Sequence, residues 1–428
     1  MGAVLALLMA LLLVRPATAA DWSGPEELAA QVFILPAVIV TARDGSSTAV
    51  WTQDDADGRD RVFLRRITAT GRMRPLVPVS DPEQSPAHYN VAVDDDGDAV
   101  VVWQAPADYP VQWQVFARRV SRTGGLGPVV RVSDGAETST TPSVAVTRTG
   151  VATIVFDRHL QTPDDYDTVV RRFRLDSSLG MPTYLPWAYV GAQPVSSRSG
   201  HVAFVLSPTV DGRAFVARAD PDGDVHARRL SADLPGDDGI AAVDLDRQGN
   251  AYAVVSRADG SRAWVRVWRS NGRLQPARPV TPRGEEVDWV HVRTDLAGDT
   301  TVLWGDYRES RASYSLRARS WSGDRLGPVA RLGRMDGAEL PCCAELPSWS
   351  IDVDDDGDGV LAWEVASPEL PDVVIRTRVV RRDGSFGRPR DLGTGEAPVV
   401  AVAPGGAARL TAWSDVQDDT QLLLWTRR

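Results

Sequence analysis

Short stretches of alternating apolar and polar residues recur along this chain, each followed by a glycine turn and a continuous apolar run. VAVDDDGDAVVVWQ (91–104) shows the unit, and IDVDDDGDGVLAWE (351–364) repeats it. Alternation with period two is the mark of a half-buried strand, and a short apolar run bounded by turns marks a strand buried on both faces. An Arg-bearing alternating segment, another Gly turn and a short G-P-x-x-x-L/V segment follow. They are seen in VFARRVSRTGGLGPVVRVSDG (115–135) and VIRTRVVRRDGSFGRPRDLG (374–393). The unit therefore predicts four antiparallel strands joined by tight turns.

The repeat recurs roughly every 45–50 residues, the spacing of propeller blades. Units fall at 36–82, 86–134, 142–190, 194–233, 240–281, 289–333 and 347–393, the third and fourth being the most divergent. Residues 397–428 supply only three strands, PVVAV, ARLTAW and QLLLWTRR, while SGPEELA (23–29) stands as an orphan fourth strand near the start. The expectation is an all-β, eight-bladed β-propeller whose last blade is closed by the N-terminal strand, with seven blades as the alternative. Such closure removes sheet edges and ties down both termini. Trp51, Trp103, Phe156, Trp304, Trp363 and Trp413 occupy one slot per blade. One large ring per blade is what inter-blade packing needs, and this is preferred to an aromatic ligand platform.

These repeats, of the form V-x-V-D-x-x-G-x-A-x-V-x-W followed by R-x and G-x-x-G-P, resemble those of the secreted β-propeller repeat proteins of high-GC bacteria. The resemblance covers nearly all of the chain after its leader. It implies the propeller fold but no activity, because propellers host binding modules and several enzyme classes. The WD dipeptide, the sialidase-type Asp box and the quinoprotein G-K-x-x-W signature are absent.

The first 20 residues, MGAVLALLMALLLVRPATAA, read as a signal peptide: an apolar run, then small residues with Ala17 and Ala19 in an A-x-A arrangement. Residues 21–428 are expected to form a single exported, extracellular domain with no membrane anchor. The composition is that of a globular protein, 43% hydrophobic and 24% charged, with net charge −10 and a pI near 5.1. That acidity argues against nucleic acid as a partner. The basic residues are all Arg.

Candidate chemistry is sought on the face carrying the longer loops, those joining strands two and three and those linking blades. A polar residue follows the strand-two aromatic by one or two positions in most units: Gln53, Gln104, Asp157, Asp306, Glu364 and Asp415. Gathered at a channel mouth, such carboxylates could grip sugar hydroxyls, hold a cation or act as an acid–base pair. The bland alternative, preferred for a feature that recurs along the repeat, is solvated loop entry. Tyr109, Trp113, His159, Tyr166, Tyr307 and Arg308 decorate the same loops and suit sugar stacking or a protein partner.

Cys342 and Cys343, the only cysteines, are adjacent in an exported chain. A vicinal disulfide, a free pair and an intermolecular bridge all remain open. Asp352, Asp354 and Asp356 before Gly357 match the start of a calcium loop, but the closing acid is missing. A tight Asp-Gly hairpin on the opposite face is preferred. The Arg pairs of strand three, Arg65–Arg66, Arg118–Arg119 and Arg171–Arg172, point to opposite faces and read as surface and inter-blade ion pairs. The functional expectation is a monomeric binding or scaffold module, without cofactor, for a glycan or protein ligand. The alternative is a polysaccharide hydrolase or lyase using the channel-mouth carboxylates.

Overall fold

The computed structural model describes residues 22–30, 37–107, 112–135, 137–160, 166–186, 188–190, 194–208, 215–231, 234, 238–308, 313–323, 325–336, 349–365, 373–416 and 419–427. Residues 1–20, expected to be a signal peptide, Tyr109 and the Cys342–Cys343 pair lie outside them. The described residues form eight antiparallel sheets arranged as an eight-bladed β-propeller. Blade 1 is Val38–Thr41, Ser47–Asp54, Asp60–Ile67 and Val77–Pro78. Blade 2 is Ala87–Val93, Ala99–Ala107, Gln112–Val120 and Leu126–Arg131. Blades 3 to 7 follow at 139–186, 188–229, 238–279, 289–336 and 349–394.

Blade 8 takes Glu396–Val402, Ala408–Val416 and Asp419–Arg427 from the end of the chain and Trp22–Ala30 from its beginning. The N-terminal strand pairs antiparallel with the last one, Trp22 opposite Arg427 and Ala30 opposite Gln421. The predicted closure is therefore what holds the ring shut. Leu28 is fully buried in a cluster that also holds Ile39, Trp51, Ala401 and Leu424, so one apolar cluster spans blades 8, 1 and 2.

One boundary needs correction. The fourth blade begins at 188, within the stretch that the repeat pattern placed at the end of unit three. Its inner strand is broken into Ala188–Val190 and Val195–Ser196, and both pieces pair with Val202–Pro208. The break disrupts the alternation that sequence matching relies on.

Strand two of each blade is buried on both faces, and in blade 2 Val100, Val101, Val102 and Trp103 have no exposed surface. Each such side chain contributes about 1.5–3 kcal/mol by leaving water. Trp51, Phe156, Trp304 and Trp363 are likewise buried in the inter-blade clusters, as the one-ring-per-blade spacing predicted. Trp413 is only half-buried, and Trp425 on the neighbouring strand is the buried indole of blade 8.

The turn between strands one and two is built the same way in several blades. Oδ1 of Asp94 accepts the amides of Asp96 and Asp98, and Asp246, Asp295 and Asp354 do likewise two and four residues on. The glycine that follows must have positive φ, +83° at Gly97 and +87° at Gly357, which explains the D-x-x-G signature.

The paired arginines join blades, but their partners are backbone carbonyls rather than the expected carboxylates. The first of a pair reaches back: Arg118 Nη1 donates to Val79 O at 2.8 Å, and Arg65 Nη1 to Leu28 O at 2.6 Å. The second reaches forward to the next blade's turns: Arg66 to Gly97 O and Val120 O, Arg119 to Gly150 O and Phe173 O. Sheet ends leave carbonyls facing the blade interface, and a guanidinium satisfies several of them at once.

Candidate functional site

The polar residues at the end of strand two are engaged by other groups of the protein. Gln104 Oε1 accepts the amide of Thr141 at 2.7 Å, and Glu364 Oε1 accepts that of Ala397 at 2.6 Å. Both amides belong to the next blade's inner strand, where each donor residue has positive φ at a register shift. Asp157 is buried and accepts the hydroxyls of Thr141 and Thr168. Asp306 is buried against Arg317, whose Nη2 lies 2.8 Å from its Oδ2. The same guanidinium contacts Glu285, which also accepts Trp304 Nε1 at 2.9 Å. Gln53 accepts Trp51 Nε1. Gln104 and Glu364 thus tie one blade to the next, while Asp157, Asp306 and Gln53 are bonded to groups of their own blades. Tyr307 and Arg308 fall on the Thr300–Arg308 strand and Asp415 on Ala408–Val416, and their side chains lie outside what is described.

The long-loop end of blade 3 carries two groups on opposite faces of its sheet, His159 with Tyr166 on one and Arg158 with Asp167 and Tyr184 on the other. His159 Nε2 sits 2.8 Å from Thr140 Oγ1, and its ring meets Tyr166 edge-on at 4.5 Å. Burial holds its pKa below the usual histidine value. Arg158 pairs with Asp167 at 2.5 Å and lies over the Tyr184 ring at 4.3 Å. Tyr184 keeps 41% of its surface exposed. Trp113 is half-buried on its strand, opposite Pro106.

On the opposite face, the turns between strands one and two of all eight blades converge on the central channel. The residue after the turn-starting position is, in blade order, Arg43, Asp95, Arg148, Arg198, Arg247, Leu296, Asp355 and Pro404. A cavity of about 220 Å³ is lined by seven of these, with Val93, Val146 and Val353 among the residues beneath. A second, of about 460 Å³, is lined by Arg43, Arg148, Arg198, Ser199 and Arg247. Arg198 bridges to Asp355, three blades away across the channel, and Arg43 lies 3.8 Å from Asp95. Burial raises the pKa of Asp355, with Arg198 opposing.

One step deeper, another slot on the inner strands reads Val40, Ala92, Ala145, Val195, Asp244, Arg293, Asp352 and Ala401. Only blades 5, 6 and 7 carry charge there. Arg293 Nε is 3.6 Å from Asp352 Oδ1. Asp352 Oδ2 accepts the amide of Val402, and Asp244 accepts those of Thr294 and Leu245. Burial pushes the Asp244 carboxyl up to about 6 and raises Asp352. Beside this row His291 is held neutral by burial and by Arg293, its ring edge-on to Trp349, which in turn stacks on Trp289.

The calcium-loop candidates do not converge. Asp354 uses Oδ1 for its own turn and Oδ2 for the amide of Gly405, Asp352 is engaged with blade 8 and Arg293, and Asp356 is exposed. Among the described residues no group of three or more His, Cys, Asp or Glu gathers as metal ligands. The arginine slot went unrecognised in sequence because each turn, taken alone, reads as a hairpin. Aligning ARDG, TRTG, SRSG and DRQG by their glycine would have exposed it.

No protein-family model and no curated protein matches the chain. Solved structures are similar in fold. A polysaccharide lyase of family PL25, an ulvan lyase bound to -[GlcA(1-4)Rha3S]-, superposes with a TM-score of 0.50 at 9% identity, covering 94% of this chain and 95% of that one. A protein of unknown function from Dyadobacter fermentans gives 0.44 at 11% identity over 82% of this chain and 97% of its own. An acylaminoacyl peptidase from Pyrococcus horikoshii gives 0.45 at 9% identity over 89% of this chain and 58% of its own. At such identities the likeness concerns the fold alone.

Proposed function

We propose that this chain is an exported binding module that recognises a glycan through its long-loop face without catalysing a reaction on it. The observation that carries the reading is the cluster at the end of blade 3. Tyr184 presents an exposed ring backed by Arg158, which Asp167 holds in place. Aromatic faces next to a fixed donor–acceptor pair, Arg158–Asp167, suit the apolar faces and hydroxyls of a sugar. The non-catalytic part follows from the fate of the carboxylates. Asp157, Asp306 and Glu364 are each held by hydrogen bonds or an ion pair to other groups of the protein, so none is poised as an acid or base.

The second reading, a polysaccharide lyase or hydrolase, draws on the fold shared with the ulvan lyase. A glycan array and a polysaccharide-release assay on residues 21–428 separate the two. The proposal expects a bound glycan whose affinity falls roughly tenfold in Tyr184→Ala, with unchanged melting temperature and no release of products. Release of oligosaccharides by the unmodified chain would end the non-catalytic reading, and binding only to a protein would replace the glycan.

A further inference from the structure

The arginines inside this protein have visible structural duties, whereas two at the channel rim have none. Arg66, Arg119 and Arg172 each cap carbonyls of the next blade. Arg148 and Arg247 occupy equivalent turn positions in blades 3 and 5, are exposed, and make no side-chain hydrogen bond or ion pair among the described residues. Arg198 stands between them in blade 4, and Arg43 completes the wall of the same cavity. Carboxylates are present across the mouth, but they are committed. Asp94 and Asp354 hold their own turns, Asp95 faces Arg43, and Asp355 faces Arg198. Among the described residues, the charged side chains left without a partner at this mouth, Arg148 and Arg247, are therefore cationic, in a chain of net charge −10.

We propose that the arc formed by Arg148, Arg198 and Arg247, with Arg43 opposite, is a binding site for a compact oxyanion: a sulfate, phosphate or carboxylate group. Guanidinium forks match the paired oxygens of such groups, and a ring of rigid turns concentrates their field at one spot. Eight tight turns hold the rim, so the arginines converge without an ordering step in the backbone. The incoming anion replaces Asp355 as the partner of Arg198. This site lies on the face opposite the glycan-binding cluster and does not depend on it.

Calorimetric titration of residues 21–428 with sodium sulfate and, separately, with D-glucuronate at low ionic strength tests the site. The expected result is one-site binding of at least one probe. Affinity should fall roughly tenfold in the double variant Arg148→Ala, Arg247→Ala, which disturbs no structural contact. The charge-matched control Arg283→Ala, Arg388→Ala, on exposed positions elsewhere, should bind as the unmodified chain does. Sulfate binding identifies a free oxyanion as sufficient, and glucuronate binding without sulfate identifies an acidic sugar end. Failure of both probes to bind, or equal weakening in the two double variants, would overturn the proposal.

Discussion

Arg66 shows how one residue type carries different duties here. Its guanidinium is buried and reaches Thr48 Oγ1, Gly97 O, Val120 O and Ser121 O, thereby joining blade 1 to blade 2. Burial lowers its pKa, although it stays charged because arginine titrates so high. Arg66→Ala removes the donor and leaves those carbonyls inside the interface. The expected cost is about 3 kcal/mol in urea unfolding, and Arg66→Lys should recover only part of it, since a point charge cannot serve four acceptors in a plane. A loss under about 0.5 kcal/mol would show that water replaces the guanidinium there.

At the scale of the element, the informative piece is the strand Trp22–Ala30. Most of its residues are exposed, yet Leu28 is fully buried among side chains of blades 8 and 1. Gly24 has φ +112° and its α-carbon side approaches Leu424 O, so the strand is bent and register shifts accompany it. Leu28→Ala should cost about 2–4 kcal/mol by transfer and cavity terms. The penalty should appear as a lower melting temperature for the whole domain, because the strand closes the ring. A separate early transition confined to blade 8 would instead mean that the blades melt independently. The repeated G-P motif made this strand recognisable as a fourth strand without a blade of its own.

The channel exists only at the scale of the whole molecule, and so does the environment of Asp244. Eight inner strands enclose it, and its carboxyl is pushed up to about 6 from the ordinary 3.8. The folded chain thus holds this proton more tightly than the unfolded chain. Its contribution to stability is complete below pH 3.8, declines as pH rises toward 6, and is lost above that. Selective carbon-13 labelling of aspartate should reveal a carboxyl titrating near 6 that disappears in Asp244→Ala. If all aspartates titrate below about 4.5, the channel is wetter than its geometry indicates. The carboxylates of the long-loop side, which looked in sequence like candidates for chemistry, acquire their partners at this scale too. Asp306 accepts the amide of Glu286 from the link to the preceding blade, and Glu364 that of Ala397 in the next blade.

Blade number, ring closure and the buried aromatic slot were written in the sequence. Each rests on local periodicity: alternation for strands, Asp-Gly for turns, and a repeated count of four with one strand displaced to the start. The broken inner strand of blade 4 escaped because its two pieces pair with one partner across an interruption that periodicity cannot register. Which polar residues are spent and which are free was decided by tertiary structure. Glu364 and Arg148 are both charged loop-edge residues in sequence, yet one caps a backbone amide and the other faces an open mouth. A side chain's partner is set by what the neighbouring blade places within hydrogen-bonding reach, and that neighbour is chosen by the closing of the ring.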